Sequence, residues 1–128
     1  SEHRISFKEI KETLRRCKKI DLKAVVCTGS LAEVRKIKKL KPYAIAFEDS
    51  KLVGTGKSIT KYRSDDVRKF ALMLKRGSVI SLCGAGINSA EDVREAFKFG
   101  CKGVLIASAI ANVNKPERLM KEIAQVRR

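Results

Sequence analysis

Tyr43-Ala44-Ile45-Ala46-Phe47-Glu48 is an apolar run that stops at a carboxylate, and Val79-Ile80-Ser81-Leu82-Cys83-Gly84-Ala85-Gly86 is a second run that stops in a tight small-residue turn. Short, nearly continuous apolar runs of this kind suit parallel strands buried on both faces. Ala24 to Cys27, closed by Thr28-Gly29-Ser30, reads as another strand, and Gly103 to Ile106 as a fourth. Helical periodicity fills the intervals. Phe7, Ile10, Leu14 and Cys17 share one face of a helix that ends near Ile20, with Ser6 and Glu9 forming a capping box. Leu31, Val34, Ile37 and Leu40 trace a second helix, and Pro42 separates it from the strand at Tyr43. Ser64 is expected to cap a third helix, with Asp65 and Asp66 in its first turn, Lys75-Arg76 in its last and Gly77 as its stop. Ser89 with Asp92 opens a fourth helix that Gly100 closes, and a fifth starts around Lys115-Pro116. Strands recurring between helices indicate βαβ units.

The chain has 128 residues and a mass of 14.3 kDa. That supports one modest core, too little for two independent domains or for a closed eight-stranded α/β barrel of about 250 residues. Residues 1–128 are therefore expected to form a single unit. No apolar stretch approaches the roughly 20 residues needed to cross a bilayer, and the sequence around Ser1 resembles no signal peptide. A soluble, cytoplasmic protein with no membrane partner is expected. Cysteines 17, 27, 83 and 101 form no CxxC pair and have no histidine nearby, so no metal site is expected and free buried thiols are.

Twenty-nine basic residues against fourteen acidic ones give a formal charge of +15. Such a charge attracts nucleic acid, anionic membrane or an acidic partner without choosing among them. The clusters Arg15-Arg16-Lys18-Lys19 and Lys36-Lys38-Lys39-Lys41 fall on outward helical faces, with only Tyr43 and Tyr62 available for stacking. They read as solvated surface, and nucleic acid as an unlikely partner. His3, the single histidine, reads as solvated or helix-capping.

In parallel α/β folds, ligands lie beyond the carboxyl ends of the strands. Glu48, the Gly84-Ala85-Gly86 turn and the Ala107-Ser108-Ala109 turn all fall there. Small residues let backbone approach a phosphate closely, and the helix that follows aims N–H groups at it. Glycines that merely turn the chain are the competing explanation. Glu48 leaves its strand into a loop hinged by Gly54 and Gly56, a setting that suits a general base under a closing lid as well as an ordinary surface acid.

Four motifs in order, Ser1-Glu2-His3-Arg4, Ala46-Phe47-Glu48 through Gly54-Thr55-Gly56, Leu82-Cys83-Gly84-Ala85-Gly86-Ile87 and Val104-Leu105-Ile106-Ala107-Ser108, resemble triose-phosphate isomerase of the archaeal type. The resemblance covers essentially the whole chain but only the second half of the family's barrel. It implies an α/β fold that is a partial, half TIM (β/α)8 barrel with about four parallel strands and five helices, beginning just after the family's catalytic histidine. The activity implied is the cofactor-free interconversion of dihydroxyacetone phosphate and glyceraldehyde 3-phosphate in glycolysis and gluconeogenesis. By the resemblance Glu48 is the catalytic base, and residues 49–56 are the lid. Val53, Gly54, Gly86, Ala107 and Ser108 bind the substrate and its phosphate. Glu2 is grouped with the catalytic residues as an acid that supports the site, and Arg4 matches a structural ion-pairing arginine.

The departures carry equal weight. In the family the electrophilic histidine immediately precedes the Ser-Glu-x-Arg motif and the lysine follows the first strand, and neither position falls within these 128 residues. Asp49 stands where the family usually has proline, either as a second charge beside Glu48 or facing solvent. The implied partner is an N-terminal half-barrel carrying the lysine and the histidine, acidic enough to offset +15, with the completed barrel forming a homo-oligomer. The chain alone is expected to be essentially inactive. A non-catalytic phosphate- or nucleic-acid-binding α/β module and a self-associating half-barrel remain the alternatives.

Overall fold

The computed structural model describes residues 4–127. Four strands form one parallel sheet in the order β1 (Val25–Thr28), β2 (Ala44–Phe47), β3 (Ile80–Cys83), β4 (Gly103–Val104). Sequential order with every strand parallel means that each crossover advances the sheet by one place, as in a barrel wall and unlike a doubly wound sheet. The crossovers contain α2 (Leu31–Ile37) with a 3₁₀ turn at Lys38–Leu40, then α3 (Ile59–Tyr62) and α4 (Ser64–Leu74), then α5 (Ala90–Lys98). Helix α1 (Phe7–Lys19) precedes the sheet, and α6 (Ser108–Ala111) and α7 (Glu117–Ala124) follow it.

Register divides the sheet into two unlike faces. Ile45, Phe47 and Cys83 lie on one face and pack with Val34 and Ile37 of α2, Val67, Phe70 and Leu74 of α4, and Val93 and Ala96 of α5. The rings of Phe47 and Phe70 stack with centroids 5.3 Å apart. Both are fully buried, each contributing roughly 1.5–3 kcal/mol of transfer free energy. The other face presents Val25 and Cys27, which are exposed, beside the half-buried Ile80 and Leu82. Ala44 and Ala46 share that face and stay buried, their methyl groups sunk between longer side chains on the flanking strands. Helices therefore cover one side of the sheet and leave the other open, the geometry of half a barrel wall.

The ends of the chain are less well packed. Neither α1 nor α7 has a buried residue, and Ile20 and Leu22 are 73% and 58% exposed.

Several local expectations change. The predicted cap at Ser64 is its helix's first residue instead; Arg63 occupies the cap position, with no side-chain cap bond, because α3 runs directly into α4. Lys75 and Arg76 lie just beyond the last turn of α4. Strand β4 has two residues, shorter than the predicted run to Ile106. Helices α3 and α6, four residues each, raise the helix number among the described residues from five to seven. All four cysteines are free, but only Cys83 and Cys101 are buried; Cys17 is intermediate and Cys27 exposed, because the sheet face that holds Cys27 is uncovered. The capping box at Ser6 and Glu9 forms as read. Among the described residues no helix is long and apolar enough to cross a membrane.

Candidate active site at the strand ends

Backbone hydrogen bonds step across the carboxyl ends of the strands. Thr28 O accepts from Glu48 N at 2.9 Å, Phe47 O from Gly84 N at 3.0 Å, and Cys83 O from Leu105 N at 2.9 Å. Each strand's last carbonyl thus fixes the first loop residue of its neighbour, and register alone brings Glu48, the Gly84 turn and the segment entering Ala107-Ser108 to one rim.

Glu48 is half-buried. Its side chain lies over the Gly84 backbone so closely that a Cβ on Gly84 would collide with Oε1 and come within 3.0 Å of Cγ and Cδ. On the other flank is the Cys27 thiol, whose pKa is pushed up to about 11 by partial burial and by the charge and hydrogen bond of Glu48. The carboxylate therefore sits above three adjacent strands. Cys83, deeper under the same rim, is raised further by its hydrogen bond to Cys101, by burial, and by the charges of Asp92 and Glu48. Both thiols are held in the neutral form at physiological pH.

The turn after β3 is shaped by two consecutive left-handed residues, Ala85 at φ 73° and Gly86 at φ 68°. A left-handed alanine costs roughly 1–2 kcal/mol, and the surrounding contacts must offset it. Ala85 O accepts from Ile59 N at 3.1 Å, and Asn88 Nδ2 donates to Gly56 O at 2.7 Å. Any Cβ on Gly86 would strike the carbonyl of Lys57, with Ser58 N 3.0 Å away. The far end of the Glu48 loop is therefore gripped by the turn after β3.

Asp92, fully buried at the start of α5, extends that grip. Its Oδ2 accepts from Asn88 N at 3.1 Å and from the Ser89 hydroxyl at 2.9 Å, while Oδ1, without a hydrogen bond of good geometry, faces Lys61 Nζ at 3.7 Å. Burial would raise its pKa, but the bonds from Asn88, Ser89 and Ser58 and the charge of Lys61 hold it below the ordinary value. Leu52 anchors the middle of the loop in the core. Val53 is 49% exposed and nothing lies within 4 Å of a Cβ built on Gly54, so the loop's tip stands clear of the body.

Ala107 and Ser108, both exposed, form the turn into α6 beyond β4, the neighbour of β3. Glu2 and His3 lie outside the described residues. Arg4 pairs with Glu33, whose other carboxylate oxygen accepts from Gly29 N at 2.7 Å. Asp49 does not simply face solvent: its side chain is 19% exposed and Arg63 holds it at 2.9 Å. Among the described residues no group of three histidine, cysteine or acidic side chains is placed to hold a metal. A hollow of about 240 Å³ occurs at the opposite rim, among Lys38, Lys41, Arg76 and Val79. There Lys38 Nζ donates to Met73 O at the carbonyl end of α4, so this cation answers a helix terminus.

Sequence similarity agrees with this geometry. The profile of the family described as triosephosphate isomerase matches residues 1–125. The chain belongs to the triosephosphate isomerase family. Triosephosphate isomerase from Cenarchaeum symbiosum is 34% identical over 126 residues, covering 98% of this chain and 57% of that protein. The enzyme from Saccharolobus solfataricus is 35% identical over 123 residues, covering 95% of this chain and 54% of its own. The chain thus spans about half the length of the curated relatives it matches. Among solved structures, the Amycolatopsis orientalis BexX/CysO complex superposes with a TM-score of 0.71 at 20% identity, over 90% of this chain and 45% of that one, a likeness of fold alone.

Three features of the candidate site escaped the sequence reading. Cys27 beside Glu48 and Gly84 beneath it depend on strand register, and Arg63 on a contact across the loop. The alternation of charges at Asp49, Arg63 and Asp66 was the one available signal for the last.

Proposed function

We propose that this chain is the carboxyl-terminal half of a triose-phosphate isomerase, the half that carries the base, the lid and the phosphate turns. The observation that carries this reading is the seat of Glu48: a carboxylate at a strand end, pressed onto Gly84, beside a left-handed small-residue turn that also grips the loop leaving Glu48. Moving one proton between adjacent carbons leaves the oxidation level of the whole molecule unchanged. A carboxylate that takes the proton and returns it therefore suffices, and no cofactor is invoked.

In this reading Glu48 removes the proton α to the carbonyl, and charge develops on the carbonyl oxygen. Stabilising that charge needs preorganised donors; the lysine and histidine of the N-terminal half-barrel supply them. Val53 and Gly54 of the lid, Gly86, and Ala107 with Ser108 take the phosphate, mainly through backbone N–H groups. Glu2 supports the site. Lid closure excludes water and strengthens each of these interactions. Residues 1–128 act as a single unit in the cytoplasm, and the completed barrel forms a homo-oligomer.

Mixing this chain with an N-terminal half-barrel and assaying triose-phosphate interconversion tests the proposal. Turnover is expected in the mixture and not in either half, and Glu48→Gln should lower kcat by about 10²–10⁴-fold, the usual weight of a positioned base. A stable complex of the two halves without turnover overturns it.

A further inference from the structure

Asp49 begins the loop that follows Glu48, at the position where the resemblance expects proline. Proline would fix the backbone φ at the hinge, whereas aspartate leaves that rotation free unless its side chain is held. Here it is held twice. Asp49 Oδ1 accepts from Lys51 N at 3.0 Å and Oδ2 accepts from Arg63 Nη1 at 2.9 Å, while Asp49 O accepts from Leu52 N at 2.9 Å. Arg63 in turn is fixed by Asp66, whose Oδ2 accepts from Nε at 2.9 Å and Nη2 at 2.6 Å. The same guanidinium lies 5.3 Å from the centroid of the Phe47 ring, and its Nη1 reaches Gly29 O at 3.5 Å.

These contacts bracket the base. One planar cation touches the residue before Glu48, the residue after it and the loop beyond the adjacent strand. Because Arg63 itself ends the segment that Asp49 begins, the pair also ties the two ends of the loop together. The side chains are 28% and 19% exposed, so the pair is screened less than the open helix-surface pairs elsewhere on the chain. Charge-assisted bonds in such shelter are the stronger kind.

We propose that the Arg63–Asp49 ion pair is a clamp that sets the first hinge of the Glu48 loop, replacing the stiffness of a proline, and that Arg63 is thereby a positioning residue for Glu48. That the loop is a catalytic lid rests on the isomerase reading; the clamp itself does not.

Residue-resolved hydrogen exchange on the intact chain tests the clamp without any turnover. Removing it by Arg63→Met or Asp49→Asn should speed exchange of the Leu52 amide about five- to tenfold while the amides of β2 keep their wild-type rates. Arg63→Lys should give a smaller acceleration, since one ammonium cannot serve Asp49 and Asp66 as the fork does. The double variant Asp49→Pro with Arg63→Met should return Leu52 toward the wild-type rate, because proline restores hinge stiffness and keeps the carbonyl that Leu52 uses. If Arg63→Met does not fold, Asp49→Asn alone carries the measurement. A wild-type exchange rate at Leu52 in folded Asp49→Asn overturns the proposal, as does equal acceleration throughout β2, which marks general destabilisation. In the completed barrel, the single variants should lower kcat about five- to tenfold, with the proline double variant recovering it. If the exchange pattern holds and even the wild-type assembly fails to turn over, the clamp stands and the isomerase reading falls.

Discussion

At the scale of single residues, Gly84 and Gly86 are both glycine for want of room, but the obstructions differ. A Cβ at Gly84 meets the Glu48 carboxylate, a movable side chain, whereas one at Gly86 meets the Lys57 carbonyl, fixed backbone. Gly84→Ala is therefore expected to fold and to displace Glu48; under the proposed isomerase function, the chain joined to an N-terminal half-barrel should then lose about 100-fold or more in kcat, since small misplacements of a reacting group cost that much. Gly86→Ala, also strained by its positive φ, should lower stability by roughly 1–3 kcal/mol, read as a shift in the urea midpoint. A third prediction at this scale tests whether Glu48 adjoins Cys27. The raised thiol should alkylate slowly at pH 8, and Glu48→Gln should speed it by removing the charge that disfavours the thiolate; equal rates in the two proteins would refute the contact. The carboxylate at a strand end and the small-residue turns were legible in the sequence, because each is a local pattern. Cys27, Gly84 as the seat of Glu48, and Arg63 were not, because each acquires its meaning from a residue far away in the chain that strand register or loop closure brings beside it.

Among the elements, α5 bears most on the site because Asp92 in its first turn and Asn88 just before its cap hold the end of the Glu48 loop. The folded pKa of Asp92 lies below its ordinary value despite burial. Its stabilisation is therefore complete above about pH 4, near the unfolded value, and is lost as pH falls through the folded value. Asp92→Asn should cost about 1–3 kcal/mol at pH 7, the range for a buried polar group that loses its charged partner. It should also flatten the acid side of a stability–pH profile taken by urea unfolding. An unchanged profile would show that Asp92 does not carry that pH dependence. Capping at Ser6 and Ser89 was legible because each cap and its partner, Glu9 or Asp92, lie within four residues. The cap expected at Ser64 was not, because α3 and α6 are too short for a helical period to register and α3 feeds straight into α4. Strand positions were readable from apolar runs, their ends only to within a residue or two.

For the whole molecule, the open sheet face and the unpaired side of β1 set the behaviour. Val25, Ile20 and Leu22 are exposed at that edge, a surface that favours association. The formal charge of +15 opposes it. Salt shortens the Debye length from about 10 Å at 0.1 M to about 3 Å at 1 M, so the pure chain should move from monomer toward larger species as salt rises, as sedimentation would show. A monomer at every salt concentration would show the face to be adequately protected. Parallel βαβ units too few for a closed barrel were legible from length and strand spacing, and the half-barrel only through the resemblance to triose-phosphate isomerase. Which face stays bare was not, because that depends on how the helices fall once the sheet has twisted. The stepwise backbone bonds from Thr28 to Glu48, Phe47 to Gly84 and Cys83 to Leu105 have a practical corollary. Recombining this protein with another barrel should place the crossover points inside α2, α4 or α5, where length can drift harmlessly, and never at a strand–loop junction, where a one-residue slip would misalign every loop downstream.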